Sequence, residues 1–307
     1  MNENQSKDLK IDLSKISNLN VKEIDSSIIK SALEKNVEKT IQELPKDFKR
    51  ERRSNKFNFT QPSIIPLPSG GKFYRTDDED IKKGKIKIYP LTMREEEILS
   101  TPRYILDGVA TIMVLNNCIA SDIDAMDLLM YDYTYLLFYL RKISFGDSYN
   151  FDITCPNCGH KYNTGFKISD IVFNELPKDF KEPYKIDLPI SKYTVIMSMP
   201  RVRHSREFDD LQNKLTSKER KEYSGISDIF AIRTVSIIDN EGNLLPKEDW
   251  VEFYKSIPAM DRAELSKYSV IESGINKVME NLVCPNCDTV IGGSIPITDE
   301  FFRFESR

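Results

Sequence analysis

Two identical tetrapeptides, Cys155-Pro156-Asn157-Cys158 and Cys284-Pro285-Asn286-Cys287, hold four of the chain's five cysteines. A Cys-x₂-Cys turn aims two thiolates inward from a tight loop, which is half of a tetrahedral site. Two such turns complete a Cys₄ zinc centre. Proline after the first cysteine shapes the turn, and Gly159 accepts the positive φ that often follows it. Tyr149–Thr154, Lys161–Phe166 and Thr289–Ile297 flank the turns and read as strands. That context disfavours a redox pair, which needs a helix N-terminus after its first cysteine. An iron–sulfur site and coincidental turns are the other readings. Cys155, Cys158, Cys284 and Cys287 are the expected ligands of one structural Zn²⁺, in a closed set that leaves no position for substrate. His160 is expected to be a bystander, and Cys118, inside an apolar stretch, a core residue.

The separation of the turns is unusual, because 125 residues lie between Cys158 and Cys284. Compact ribbons place their pairs about 15–20 residues apart. Here an αβ insertion, residues 159–283, leaves one knuckle and returns to the other, and the metal closes its base.

Other chemistries lack their residues. Two histidines (His160 and His204) cannot build an HExxH protease or a His₃ metal site. Gly70-Gly71-Lys72 is followed by Phe73 rather than Ser or Thr, so it is not a phosphate-binding loop, and neither GxSxG nor GxGxxG occurs. His204 sits in a charged helical stretch and reads as a surface residue, and the acidic runs at Asp77–Asp80 and Asp209-Asp210 as solvated faces. The chain of 307 residues carries net charge −4, which exerts no general pull on nucleic acid. No stretch is long and apolar enough for a bilayer, and the first residues lack a signal-peptide core, so a cytosolic protein is expected.

The elements that must position the cysteines follow from periodicity. Lys72–Arg75 and Lys85–Tyr89 read as short strands, and Thr92 with Glu95 forms a capping box for a helix through Leu99. Two apolar helices, Tyr104–Ile119 and Asp124–Ser144, form the expected core. Tyr184–Leu188 and Tyr193–Met199 make a hairpin, Val202–Tyr223 and the start of Ile226–Ile238 are helical, Asp239–Gly242 is a turn, and Pro258–Leu282 holds another amphipathic helix. The fold class is α+β, a helical core with short strands and hairpins plus the split Cys₄ ribbon.

Residues 1–60 form a separate polar arm, ahead of a body at 61–307, and carry 13 basic against 10 acidic residues. Within the arm a helix over 21–44 places Ile24, Ile28, Leu33, Val37 and Ile41 mostly on one face, and a basic linker follows it. A lone helix of that length cannot bury its stripe, so it needs cover from its own body, a partner or a membrane surface. These five residues are the candidate partner-binding set, expected to become helical on docking.

An ordered series of short motifs carries a resemblance. Leu67-Pro68-Ser69-Gly70-Gly71-Lys72-Phe73-Tyr74 comes first, followed by Ile86–Glu97, Leu99-Ser100-Thr101-Pro102, Gly108 and Asn117-Cys118-Ile119. Asp127-Leu128-Leu129, Asp132, Leu136-Leu137, Leu140-Arg141 and Ser144-Phe145-Gly146 then lead into the first knuckle. Over roughly residues 60–300 the chain resembles the baseplate hub assembly proteins of T4-like contractile-tailed bacteriophages. The resemblance implies a non-enzymatic role in building the central hub, with other hub or tail proteins as partners. It implies a place in the host cytoplasm during assembly or in the virion baseplate. A nucleic-acid-binding zinc ribbon is the alternative, disfavoured by the acidic body and the lack of basic–aromatic interleaving around either knuckle.

Overall fold

The computed structural model describes residues 59–171, 173, 176, 179–268, 282–291 and 299–302. The arm with its predicted helix 21–44, and Ile24, Ile28, Leu33, Val37 and Ile41 on it, lies outside the described residues, as does most of the amphipathic run predicted up to Leu282.

Strand β1 (Ser63–Pro66) pairs antiparallel with β2 (Lys85–Ile88), in register Ser63 to Ile88, and a turn plus the short helix α1 (Glu79–Lys82) joins them. Gly71 sits at φ +70° in that turn, and a Cβ there would meet the Ile81 carbonyl at 2.0 Å, so only glycine fits. Asp78 caps α1 and also accepts from the Asp122 amide at 2.9 Å, so that acidic run is more than a solvated face. Lys72–Arg75 is not the expected strand. It runs as turn and coil because side chains replace the ladder: the Tyr74 hydroxyl donates to Asp132 at 2.5 Å, and Arg201 Nη2 donates to the Phe73 carbonyl at 3.0 Å.

Helix α2 (Met93–Leu99) starts where the capping box places it. The buried Glu95 carboxylate accepts from the Thr92 amide at 2.8 Å and its hydroxyl at 2.6 Å. The next expected helix is two pieces, α3 (Pro102–Leu106) and α4 (Ala110–Cys118), because Gly108 takes φ +65° and ends the first. Ile105 and Leu106 are consequently exposed rather than core. The expected helix over 124–144 is also divided. Asp124 caps one 3₁₀ turn (Ala125–Asp127), Leu128 and Leu129 are extended, and α5 runs from Met130 to Phe145. Pro200–Val202 explains the extended pair: Met130 N–H donates to the Pro200 carbonyl at 2.8 Å and Val202 N–H to the Leu128 carbonyl at 3.0 Å. Val114, Leu115, Cys118, Leu128, Leu136 and Leu140 are fully buried where α4 and α5 meet, with Phe301 and Phe302 in the same cluster.

A long hairpin, β3 (Ser148–Thr154) with β4 (Lys161–Lys167), leads out to the first Cys turn. Next come β5 (Tyr184–Asp187) and β6 (Thr194–Met197), the expected hairpin. The charged stretch then splits into α6 (Val202–Asn213) and α7 (Ser217–Glu222), followed by α8 (Ile226–Arg233). Strand β7 (Thr234–Ile238) adds to β6, giving a three-stranded antiparallel sheet in the order β5-β6-β7. Helices α9 (Trp250–Ser256) and α10 (Ala259–Ser266) complete this part. It has its own cluster, with Ile186, Val195, Met197, Ile237, Trp250 and Leu265 packed against Leu129 and Tyr131 of the body. Mixed helix and short antiparallel strands make the class α+β.

Candidate metal centre

Seven paired residues hold the β3–β4 hairpin in register and present Cys155–Gly159 at its tip. The Cys155 amide donates to the His160 carbonyl at 2.9 Å and the Gly159 amide to the Cys155 carbonyl at 2.9 Å, with Gly159 at φ +71°. The second turn repeats this pattern between β8 (Leu282–Val283) and β9 (Val290–Ile291). There the Cys284 amide donates to Thr289 at 3.0 Å and the Asp288 amide to Cys284 at 3.0 Å. Asp288, in the place of Gly159, takes φ +53°, a conformation aspartate tolerates better than most residues.

The two knuckles face each other. Cys155 Sγ lies 3.7 Å from Cys287 Sγ, Cys158 Sγ lies 3.7 Å from Cys284 Sγ, and all four sulfurs fall within 4.8 Å of one another. Four sulfurs about 2.3 Å from a central ion span a tetrahedron with edges of roughly 3.8 Å. The thiols are free, so this spacing is that of a metal cage rather than of disulfides. The four cysteines could hold one metal ion.

The family model described as T4 bacteriophage base plate protein matches residues 63–303, both knuckles and everything between them. The chain belongs to that family. No curated protein and no solved structure matches it. The matched span begins after the arm, as the motif series does. Among the described residues of this baseplate protein, no helix is long and apolar enough to cross a membrane.

Within the baseplate protein's cysteine cluster, burial divides the four side chains. Cys155 and Cys284 are buried with Ile291, whereas Cys287 is half-buried and Cys158 exposed. Burial pushes the Cys284 thiol up to about 11, and the hydroxyl and amide of Thr289 hold Cys287 down to about 6. Asn286 holds Cys158 below its ordinary value. His160 stacks on Tyr162, with ring centroids 5.9 Å apart, and takes no place in the cage.

Sequence reasoning missed two residues here. Asn157 Nδ2 lies 3.6 Å from Cys287 Sγ and donates to Thr289 Oγ1 at 3.0 Å, while Asn286 Nδ2 lies 3.5 Å from Cys158 Sγ. Each asparagine thus reaches across to a sulfur of the other knuckle. The available signal was its recurrence at the third position of both tetrapeptides.

His204 is not the surface residue expected. It is half-buried on the first turn of α6, because Pro200–Val202 docks that turn against Leu128–Met130. Its Nδ1 accepts from the Arg201 amide at 3.2 Å. Burial, with Arg201, Arg233 and Arg203 nearby, pushes its pKa down to about 3, so it is neutral at pH 7. Asp209 and Asp210 lie beside Arg206 at 3.7 and 3.4 Å.

Proposed function

We propose that the protein is a non-enzymatic subunit or assembly factor of the phage baseplate hub, acting through contacts with other hub or tail proteins and braced by a structural zinc ion. The tetrahedral spacing of the four sulfurs, in a chain of the baseplate family, carries this reading. A Cys₄ set suits Zn²⁺, and hard cations such as Mg²⁺ and Ca²⁺ prefer oxygen. With four thiolates bound the ion is closed to substrate, so its chemistry is to hold the two knuckles together. The arm stripe at Ile24, Ile28, Leu33, Val37 and Ile41 is the docking element of this proposal, and assembly takes place in the host cytoplasm before the subunit enters the baseplate.

Elemental analysis of protein never exposed to chelator should find about one zinc per chain, and co-expression with the other hub proteins should yield a stable complex. Ile28→Asp with Leu33→Asp should weaken that complex while zinc content and melting temperature stay unchanged. Iron or no metal in place of zinc, or a chain that stays alone beside every hub protein, overturns the reading.

A further inference from the structure

The β3–β4 hairpin is a two-stranded sheet, so β4 has one strand neighbour among the described residues. The bonds at the two ends of the hairpin fix which groups of β4 are spent on that neighbour. Cys155 N–H donates to the His160 carbonyl at 2.9 Å, and Ile168 N–H donates to the Asp147 carbonyl at 2.8 Å. Antiparallel pairs alternate between bonded and non-bonded. In the observed register the bonded pairs are therefore Ile153 with Tyr162, Phe151 with Thr164 and Tyr149 with Phe166. The N–H groups of Lys161, Asn163, Gly165 and Lys167 point the other way, as do the carbonyls of the first three. None of these groups has a hydrogen bond among the described residues. All four residues are exposed. The edge they form is about 20 Å long, at about 3.3 Å per residue.

We propose that this edge receives an extended, acidic segment of a partner protein as a third strand. Backbone exchange along the edge supplies the attachment, and the two faces of β4 dictate the pattern of the incoming strand. One face carries Lys161 and Lys167, neither in an ion pair among the described residues, while Asp152 on that face accepts from Asn163 Nδ2 at 2.9 Å. An antiparallel partner meets both lysines with carboxylates six residues apart. The other face carries the half-buried Tyr162, Thr164 and Phe166, with the Phe166 ring 5.7 Å from that of Tyr149. The alternate residues of the incoming strand extend this face and are therefore apolar. The lysines also decide between occupants. A second copy paired over the full strand sets Lys161 opposite Lys167 twice, and like charges directly opposite are destabilising. The chain's own residues 1–60 are net basic, so the arm carries the wrong sign. The edge is separate from the arm stripe, and only the expectation that its partner is a hub or tail protein rests on the assembly role proposed above.

The test uses the full chain, labelled for amide NMR, with no hub protein present. The probe acetyl-Glu-Val-Thr-Val-Thr-Val-Glu-amide carries the required pattern, and a counterpart has lysine in place of both glutamates. The Glu peptide should slow amide exchange at Lys161, Asn163, Gly165 and Lys167, and bind about ten-fold or more tighter than the Lys peptide. N-methylation of both threonines, whose N–H groups face β4, should abolish binding. N-methylation of the central valine, whose N–H faces away, should not. Lys161→Glu with Lys167→Glu should reverse the preference between the two peptides, and Lys167→Glu alone, at the end remote from the knuckle, should shrink it. Equal binding of the Glu and Lys peptides, equal binding of the two methylated forms, or no protection of these amides at roughly 5 mM Glu peptide overturns the proposal. Protection that rises with protein concentration alone overturns the partner segment in favour of a second copy. A chain that takes the peptide yet stays alone beside every hub protein overturns the assembly role and upholds the edge, so the two proposals fail separately.

Discussion

The helical core and the metal centre hold together by opposite means. Around α4 and α5, a continuous apolar cluster runs from Ile65 to Phe302, and each fully buried leucine contributes about 1.5–3 kcal/mol. Around the knuckles, the described residues bury only Cys155, Cys284 and Ile291, with Ile153, Tyr162 and Cys287 partly buried against them. There four sulfurs converge at the spacing of a metal cage, and in the proposed reading ligand bonds supplement that small apolar cluster.

The largest test of that contrast is metal removal. Structural zinc binding in small peptides amounts to about 10–16 kcal/mol, so chelation should unfold the ribbon outright. Amide exchange should speed up through 154–161 and 284–291, while α4 and α5 stay protected. Cys284→Ser should act like chelation and Cys118→Ser should not change zinc content. A core that melts with the ribbon breaks the comparison. From the other side, Leu136→Ala should cost about 2–5 kcal/mol in denaturant unfolding, with zinc content unchanged.

Smaller effects sharpen the same contrast. Asn157→Ala with Asn286→Ala should weaken metal binding by about 10- to 100-fold in a competition titration and leave core melting alone. Acid should reach the body through His204. Its folded pKa, near 3, lies below the unfolded 6.5, so its contribution is complete above about pH 6.5 and declines as the pH falls toward 3. The slope is at most about 1.4 kcal/mol per pH unit, and less for a partly exposed ring. His204→Gln should therefore flatten the stability profile between pH 6.5 and 5 by about 1 kcal/mol or less. A profile identical to that of the unsubstituted protein would show that this imidazole protonates freely in the fold.

What could be read from the sequence was local. The Thr92–Glu95 cap, the β5–β6 hairpin, Cys118 as core and the pairing of the Cys turns each depend on residues a few positions apart, or on a motif that recurs. What could not be read is set by partners distant in sequence. Leu128 and Leu129 follow an apolar helical pattern, yet Pro200–Val202 pairs with them and holds them extended. Lys72–Arg75 reads as a short strand after the glycine turn but is pinned through Tyr74 to Asp132, 58 residues away. His204 has charged neighbours in sequence and becomes half-buried only because α6 docks on the body. Gly108 was visible, but an isolated glycine in a helical pattern does not reveal that it will take φ +65°.

The distance between the knuckles also sets an order of events on the ribosome. At about 5–20 residues per second, Cys284 is added roughly 6–25 s after Cys158. During that interval the first pair of thiols has no second pair to share an ion with. Phe301 and Phe302, which pack against each other in the core with Phe301 on Phe138 and Tyr149, are added later still. The two Cys turns therefore meet only after all of residues 159–283 have been made. A product truncated between the knuckles carries one Cys pair and lacks Phe301 and Phe302, so under the proposed zinc reading metal retention would distinguish longer chains from such fragments.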